Sequence, residues 1–320
     1  ASSFQKSRIF PTAYELKVFT ALSDKSKTAP EEALRLRVNP RALERLMNAL
    51  CAMGLLEKKK GRYSNTPLTL RFLVEGKPEF MAGLMHAAHL WDNWSSLTQS
   101  VRKGTSVLGC NVNVHKRNRE WLNAFIACMH ERAYRQAAKV VSMLNLSGVS
   151  RILDVGAGSG AYAMAFVRAK EGLRATAFDL PSVVSLTRNY IKREGLLNKV
   201  TIIAGDYNVD KLGSGFDLVF LSAVVHSNSF AKSRKLIAQC AKALNPGGQV
   251  VVQDFIMDED RVQPVFGAFF ALNMLVATED GDTYTESEVK SWMKDAGLSR
   301  IIRKDTKFDT SLIIGRKSKK

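Results

Sequence analysis

The chain has 320 residues, of which 46% are hydrophobic and 8% aromatic, and its formal net charge is +17. This composition is typical of an ordinary globular protein that can bury a sizeable core and form two domains. Its first residues contain no continuous apolar stretch of signal-peptide length, and nowhere do about 18 uncharged apolar residues follow one another,. The sequence therefore favours neither export nor a membrane span, and we expect a cytoplasmic protein.

The positive charge is concentrated in the first half of the chain. Residues 1–148 contain 23 Lys and Arg against 11 Asp and Glu, whereas residues 149–320 contain 24 against 19. Such an excess can attract nucleic acid, an anionic membrane or an acidic partner, although charge alone does not define an activity.

The cysteines lie far apart in the chain, without CxxC or Cys/His ligand spacing: Cys51, Cys110, Cys128 and Cys240. We therefore expect reduced thiols rather than a disulfide framework or a zinc site. The histidines His86, His89 and His130 also have no ligand partner at metal spacing. The sequence predicts no metal centre.

The first half of the chain is predicted to be mainly helical. Apolar residues recur at helical spacing in TAYELKVFTALSD, PRALERLMNALCAMGLL and REWLNAFIACMHERAYRQAAKVVSMLNL,. We divide this half into an N-terminal domain, 1–110, and a connecting helix, 111–148.

A winged-helix outline lies within residues 36–66. A helix opened by Asn39 and Pro40 is followed by LEKKKGRYSNT, which reads as two short strands around Gly61,. A DNA-reading module would use the basic side chains of the helix and the wing, namely Arg41, Arg45, Lys58, Lys59, Lys60 and Arg62,. Alternatively, the same helices bury their Leu, Met and Ala faces against a second subunit, which would make the protein a homodimer.

Residues 149–320 form the third predicted segment, an α/β domain. Short β-branched runs (RILDV, LRATAFDL, KVTIIAGD, FDLVFLS, GQVVVQDF) alternate with helical segments, which indicates a parallel sheet covered on both faces,. The last two runs, SRIIRKDT and TSLIIGRK, have no helix between them and predict a closing antiparallel hairpin.

The run RILDVGAGSGAYA, residues 151–163, predicts a strand that enters a helix through a glycine-rich turn. Such a turn lets the backbone approach a ligand closely and directs amide groups toward it. NAD is one possibility, because Gly156, Gly158 and Ala161 satisfy the dinucleotide spacing and Asp179 follows about 20 residues later,. S-adenosylmethionine is the other, since Asp154 at the strand end is suited to a cationic amino group.

These residues carry a family resemblance. LDVGAGSG, the acids in AFDLP and AGDYN, the NPGG turn, the final hairpin, FIACMH and HSNS together resemble the class I S-adenosylmethionine-dependent O-methyltransferases of the caffeate and hydroxyindole type. The resemblance covers nearly the whole chain and is strongest to bacterial relatives. It implies a Rossmann-like, seven-stranded methyltransferase sheet with an antiparallel C-terminal hairpin, and an N-terminal winged-helix dimerisation domain.

By this resemblance, Asp154, Gly156 and Gly158 hold the amino-acid end of the cofactor, and Asp179 accepts both ribose hydroxyls. Asp206 accepts from the adenine amino group while Tyr207 packs on the ring. The implied cofactor contacts also include Leu180 and Ser222.

His226, just after FDLVFLSAVV, is the predicted general base, and Asp254 in VVVQDF is predicted to orient it,. Plant relatives follow this histidine with Asp-Trp, where this chain has Ser227 and Asn228. They also place a second carboxylate beside the base, where this chain has Thr283 or Tyr284. The acceptor reaction is therefore predicted as O-methylation, with C- or N-methylation as alternatives.

The predicted acceptor is small and aromatic. Its pocket is expected to contain apolar and aromatic side chains with two polar groups: Trp91, Phe125, Met129, His130, Phe270, Asn273 and Met274,. The same residues at helical spacing would also suit an ordinary core.

Two other classes remain open on the sequence. A winged-helix regulator that senses the cofactor would explain the basic first half but would leave His226 without a role. A nucleic-acid methyltransferase would also explain the charge, but the NPPY signature of adenine-modifying enzymes is absent. Nucleic acid is thus the less favoured partner, and a small molecule the favoured one.

Overall fold

The computed structural model describes residues 3–108 and 119–319. The chain divides into two compact units, Ala1–Asp92 and Asn93–Lys320. The predicted domain boundary at 110/111 and Cys110 lie outside the described residues. Within the described residues, Cys51, Cys128 and Cys240 are free thiols. The location of the protein in the cytoplasm stays a prediction.

The N-terminal unit is mainly helical, as predicted, with one hairpin. Its helices are α1 (Ser3–Glu15), α2 (Val18–Ala21), α3 (Ala29–Leu36), α4 (Pro40–Ala52), α5 (Pro67–Phe72) and α6 (Leu84–Ser95), whose last turn passes into the second unit. The strands β1 (Leu56–Lys59) and β2 (Arg62–Asn65) pair antiparallel. Helix α4 begins as the sequence predicts, with the Asn39 side chain accepting the Ala42 amide and Pro40 in the first turn,.

The cations expected on the wing are largely paired within this unit. Lys58 lies 3.5 Å from a Glu44 oxygen, Lys59 lies 2.9 Å from Glu57, and Arg62 lies 3.0 Å from Glu31. These groups already have counter-charges, which weakens the case that the hairpin binds phosphates.

The second unit contains a seven-stranded sheet in the order β10-β11-β7-β6-β3-β4-β5. The strands are β3 (Arg151–Val155), β4 (Arg174–Asp179), β5 (Val200–Ala204), β6 (Phe216–Ser222), β7 (Leu244–Asp254), β10 (Leu298–Asp305) and β11 (Ser311–Lys317). Strands β3 to β7 are parallel, and β11 runs antiparallel to both β7 and β10. The predicted Rossmann-like sheet with a closing hairpin is confirmed. A separate parallel pair consists of β8 (Ile256–Met257) and β9 (Tyr284–Thr285).

Helices cover both faces of this sheet. The helices that pack on it are α8 (Arg119–Ser142), α9 (Ala161–Ala169), α10 (Val184–Arg193), α11 (Phe230–Ala243) and α13 (Glu286–Asp295). Helices α7 (Leu97–Lys103) and α12 (Val265–Ala277) pack on each other. Alternate strand residues enter opposite cores: Leu153 joins the core with α11 and α13, whereas Ile152 joins the core with α8 and α9,. Ile152 and Leu153 are both fully buried, so β3 has apolar side chains on both of its faces,.

The carboxyl ends of the parallel strands place polar side chains along one edge of the sheet. Asp154, Asp179, Ser222 and Asp254 lie in or end strands β3, β4, β6 and β7. Open α/β sheets bind ligands at this edge. Within the described part of the chain, no helix is long and apolar enough to cross a bilayer, and no cluster of ligating side chains is suited to a metal ion.

Asp217 joins the opposite ends of three strands. Its carboxylate accepts the Ser150 and Arg151 amides, at 2.8 and 2.9 Å, and the Asn245 side-chain amide at 2.8 Å. Burial alone would raise the pKa of Asp217, but these hydrogen bonds outweigh it and hold the pKa at about 2,.

We predict that Asp217→Asn lowers the free energy of unfolding by about 1–3 kcal/mol at neutral pH, because a charged acceptor is lost. The folded-state pKa lies below the unfolded value of about 3.9, so the stabilisation is present above that value and is lost as the pH falls toward 2. Urea denaturation at pH 7 and pH 3 measures both effects. The exposed Glu171→Gln is the control, and equal stability of wild type and Asp217→Asn at pH 7 would contradict the assignment.

Candidate active site

The turn between β3 and α9 requires glycine. Gly156, Gly158 and Gly160 have φ values of 70°, 55° and 77°, which side chains rarely adopt. A Cβ at Gly156 would lie 2.7 Å from the Val224 side chain, and one at Gly160 would lie 2.9 Å from Ile191. At Gly158 the nearest atom would be 4.0 Å away. The backbone here is therefore free to face a ligand.

Asp179 ties this turn to the end of β4. Its two carboxylate oxygens accept the Gly158 amide at 2.6 Å and the Leu180 amide at 2.7 Å. Burial raises the pKa of Asp179 to about 6, although the two backbone hydrogen bonds oppose that shift,. A carboxylate has about four acceptor positions, so two remain for hydroxyl donors.

Asp154 lies one strand away and is buried, whereas Asp179 is half-buried. One of its oxygens accepts the Ala163 amide of the first turn of α9 at 3.0 Å, so the carboxyl satisfies a free helical N–H. Burial raises the pKa of Asp154 to about 7, and the nearby charge of Asp179 adds to this. Among the described residues, no cation pairs with Asp154 or Asp179. A positively charged or hydroxyl-rich ligand would therefore stabilise these two carboxylates.

The residues after β5 and β6 complete this half of the site. Asp206 accepts the Asn208 amide at 2.8 Å, and half-buried Tyr207 accepts a 3.3 Å hydrogen bond from the Asn228 side chain. Ser222, at the end of β6, donates to Gln253 at 3.2 Å. The structure thus brings the predicted cofactor residues to one edge of the sheet, while their roles stay predictions.

His226 lies on a 3-10 turn, Val225–Ser227, directly beyond β6. Its Nδ1 is 2.7 Å from an oxygen of buried Asp254, and the same oxygen accepts the Phe255 amide at 2.8 Å. An ionised carboxylate only accepts, so this contact places the proton on Nδ1 and leaves the Nε2 lone pair free. The pair has the geometry of a base and its orienting group.

A second carboxylate does not face the His226 side chain from the segment where plant relatives have one. Thr283 is buried there, and the Tyr284 hydroxyl donates to the Asn228 carbonyl at 2.5 Å. The Asp282 amide donates to the His226 carbonyl at 3.0 Å, which fixes the backbone of the turn. Asp254 is thus the acid that contacts the imidazole.

The predicted pocket residues have different surroundings in the structure. Phe270 meets the His226 ring nearly edge-on, with centroids 4.8 Å apart. Asn273 accepts the Trp94 indole N–H at 3.0 Å, and Met274 is buried on the same helix. Of these three, Phe270 is the residue with a ring contact to His226.

The other predicted pocket residues lie on α8 or in the N-terminal unit. Phe125 stacks on Trp121 with centroids 5.1 Å apart, and Met129 is half-buried. Trp91 belongs to the N-terminal unit, where the Arg8 guanidinium lies 5.6 Å from its ring. Their contact with an acceptor stays a prediction.

His130 contacts the glycine turn. Its Nδ1 lies 2.8 Å from the Ser159 hydroxyl, and its ring is 4.1 Å from the Tyr190 ring. Burial lowers the pKa of His130 to about 4, and the charge of Arg193 contributes. The neutral imidazole therefore steadies the turn, a contact that the sequence pattern did not indicate.

Sequence reasoning also missed Phe255, whose ring lies 4.5 Å from Phe270 and 6.2 Å from His226. Its position directly after Asp254 at a strand end was the available signal. The site therefore consists of an acidic, glycine-lined half beside an aromatic half that contains His226.

Comparison with known proteins identifies the family. The O-methyltransferase domain matches residues 94–299, and the O-methyltransferase dimerisation domain matches residues 1–75. The chain belongs to the O-methyltransferase family. The enzyme is an S-adenosylmethionine-dependent methyltransferase, and the glycine turn with its two acids fits that cofactor.

Similar proteins align over almost the whole enzyme. A 3-hydroxy-5-methyl-1-naphthoate 3-O-methyltransferase of Streptomyces sahachiroi is 34% identical, over 94% of this chain and 88% of that protein. The tetracenomycin polyketide synthesis 8-O-methyl transferase TcmO of Streptomyces glaucescens is 29% identical, over 98% and 94%. The structure of PigF with SAH has a TM-score of 0.88 at 26% identity, covering 99% of this chain and 97% of that one. PigF of Serratia sp. is named an S-adenosyl-L-methionine-dependent methyl transferase.

The raised pKa values of Asp154 and Asp179 predict that cofactor binding releases protons. The cofactor is cationic at its sulfonium and amino groups and donates from its hydroxyls, so it favours both carboxylates in the ionised form. Its Kd should therefore rise as the pH falls below about 7,. Calorimetry near pH 6.5 in two buffers of different ionisation enthalpy measures the released protons.

Asp179→Asn should weaken binding about 10- to 100-fold and reduce the proton release, because it replaces a charged acceptor. Titration above pH 8, where both carboxyls are ionised without ligand, is the internal control. A Kd that stays constant from pH 6 to pH 8 with no proton release would contradict these roles.

Proposed function

We propose that this methyltransferase methylates the hydroxyl of a small aromatic acceptor, with His226 as the general base and Asp254 as its orienting group. The 2.7 Å contact between His226 Nδ1 and Asp254 carries the proposal. Two relatives are named for O-methylation in this class, of a hydroxynaphthoate and in tetracenomycin polyketide synthesis.

The surroundings of His226 suit a flat apolar acceptor. The Phe270 ring lies 4.8 Å from the imidazole, 4.5 Å from Phe255 and 6.1 Å from Phe266. Phe266 and Phe269 remain about half-exposed on α12, so apolar surface is available for a ligand. Aromatic rings pack on each other in offset and edge-on arrangements like these.

When bound, S-adenosylmethionine supplies a methyl group on a sulfonium. His226 Nε2 would remove the proton of the acceptor hydroxyl as its oxygen forms the new bond to the methyl carbon, while the sulfur–methyl bond breaks and S-adenosylhomocysteine is the leaving group. Asp254 keeps the Nδ1 proton in place and stabilises the imidazolium that results, without itself taking the proton.

We predict that His226→Ala lowers kcat about 10²- to 10⁴-fold on a neutral phenol, the usual effect of losing a positioned base. Asp254→Asn should have a smaller effect, because it only loosens the tautomer and the orientation of the ring. Steady-state kinetics on a naphthol series measures both. Unchanged Kd for S-adenosylmethionine and an unchanged melting temperature serve as controls for folding.

An acceptor that is already ionised at neutral pH should depend less on His226. Full activity of His226→Ala on a neutral phenol would show that the histidine is structural. Methylation of amines but not of phenols by the wild-type enzyme would replace the proposal with N-methylation.

We also propose that the N-terminal unit, with its winged-helix outline, forms a homodimer. Residues 1–75 match the dimerisation domain. Large apolar side chains remain exposed on this unit, including Phe4 at 59%, Leu34 at 84% and Leu68 at 57%. Exposed apolar groups of this size favour a protein interface.

The predicted outcome is a dimer by light scattering at micromolar concentration. Phe4→Glu should shift it toward monomer, because a charge would be buried without a partner. Lys25→Gln, at an exposed position of the same unit, changes the net charge by the same amount as Phe4→Glu and is the control. A monomeric wild type that binds duplex DNA selectively would favour the regulator instead.

A further inference from the structure

Thr187, near the start of α10, contacts the glycine turn through its hydroxyl. The side chain is fully buried, and its Oγ1 donates to the Gly158 carbonyl at 2.6 Å. The Val183 carbonyl, one helical turn earlier, lies 3.3 Å from the same oxygen. A hydroxyl has a single proton to donate, and the shorter contact takes it. Thr187 therefore bonds to the turn rather than to its own helix.

Gly158 is held at both of its backbone groups. Its amide donates to Asp179 at 2.6 Å, and its carbonyl accepts the Thr187 hydroxyl. These two bonds fix the two peptide planes on either side of the Gly158 Cα. Packing does not fix them, because glycine has wide backbone freedom and the nearest atom to a Cβ placed here would be 4.0 Å away,. The hydrogen bonds set the orientation of both planes.

The second of these planes carries the amide of Ser159. This peptide is trans, so its N–H points away from the carbonyl that Thr187 holds,. Ser159 is 3% exposed, and its hydroxyl lies 2.8 Å from His130 Nδ1. Among the described residues, no group accepts its backbone N–H. A buried amide without an acceptor is costly, which favours a ligand that brings an acceptor oxygen.

The carboxylate of S-adenosylmethionine is such an acceptor. Asp154 and Asp179 suit the donors of the cofactor, which are its amino group and its hydroxyls. They do not suit its carboxylate, because two negative groups repel each other. A backbone amide can bind a carboxylate without a side-chain cation, as the amides at helix N-termini do. The Ser159 amide, just before α9, is therefore suited to the carboxylate of the cofactor.

We propose that Thr187 is a positioning residue for the cofactor, which orients the Gly158–Ser159 peptide so that the Ser159 amide donates to the cofactor carboxylate. Because Thr187 is fully buried, it acts through this peptide and not by contact with the ligand. The inference concerns the cofactor half of the site and goes beyond the proposed function, since it holds for any acceptor.

The first measurement is calorimetry with two probes. One is S-adenosylhomocysteine, and the other is its decarboxylated analogue, in which a hydrogen atom replaces the carboxylate. Thr187→Val removes the hydroxyl and keeps the shape of the side chain, so it should weaken binding of S-adenosylhomocysteine about 10-fold or more. The analogue lacks the group that the amide binds, so its Kd should change less than about twofold.

Two variants serve as controls. Thr187→Ser keeps the hydroxyl and should bind S-adenosylhomocysteine within about threefold of the wild type. Thr69→Val makes the same change in the N-terminal unit, where fully buried Thr69 donates to the Leu55 carbonyl at 3.1 Å. It should lower the melting temperature, as Thr187→Val does, and leave the Kd of both probes unchanged.

The second measurement uses the wild-type enzyme and does not depend on the folding of a variant. In NMR spectra of protein with labelled serine, the Ser159 amide proton should move downfield with S-adenosylhomocysteine, because a charged acceptor binds it, but not with the decarboxylated analogue.

Three results would overturn the proposal. Equal weakening of both probes by a folded Thr187→Val enzyme would show that Thr187 supports the site by packing alone. Unchanged binding of both probes would show that the turn keeps its orientation without the hydroxyl. The same shift of the Ser159 amide with both probes would show that this amide does not bind the carboxylate.

Discussion

The 2.6 Å hydrogen bond from the Gly158 amide to Asp179 is the contact on which the rest of the site depends. It joins the glycine turn after β3 to the end of β4, and the turn in turn sets where α9 begins. Gly156 and Gly160 permit this path, because a Cβ at either position would collide with Val224 or Ile191. Desolvation of this carboxylate outweighs its two backbone hydrogen bonds and raises its pKa to about 6. The fold therefore holds an acid in a setting that becomes more favourable when a donor-rich, cationic ligand arrives.

The position of the aromatic half depends on the parallel pairing of two other strands of the sheet, β6 and β7. Ser222 of β6 is in register with Gln253 of β7, so the residues just beyond the two strands come together. Ala223 has a φ of 57°, and this left-handed residue turns the chain back so that His226 reaches Asp254,. The amide of His226 also approaches Asp254, at 3.4 Å, so one carboxyl holds both the backbone and the side chain of the turn. An imidazole fixed twice in this way has little conformational freedom left to lose when a ligand binds.

The sequence predicted the features that local residue patterns determine. It missed the side-chain contacts that depend on how distant helices and strands pack against each other. The strands, their acids and the closing hairpin were predictable, since β-branched runs and positive-φ glycines have few other structures. His130 shows the limit: helical spacing places it on one face of α8, but only the crossing of α8 over the turn puts it 2.8 Å from Ser159. Arg132 and Phe255 meet for the same reason, across elements more than 100 residues apart. The basic hairpin shows a different limit, because Glu31, Glu44 and Glu57 neutralise cations that composition counts as free.

The charged side chains near the strand ends lie in two groups. Asp154 and Asp179 contact the glycine turn and the first turn of α9, whereas the Arg132 guanidinium lies over the Phe255 ring. The net charge of +17 acts on any anion, because an excess of positive charge raises the local concentration of negatively charged molecules, small or large,. The charge alone therefore does not single out nucleic acid as a partner.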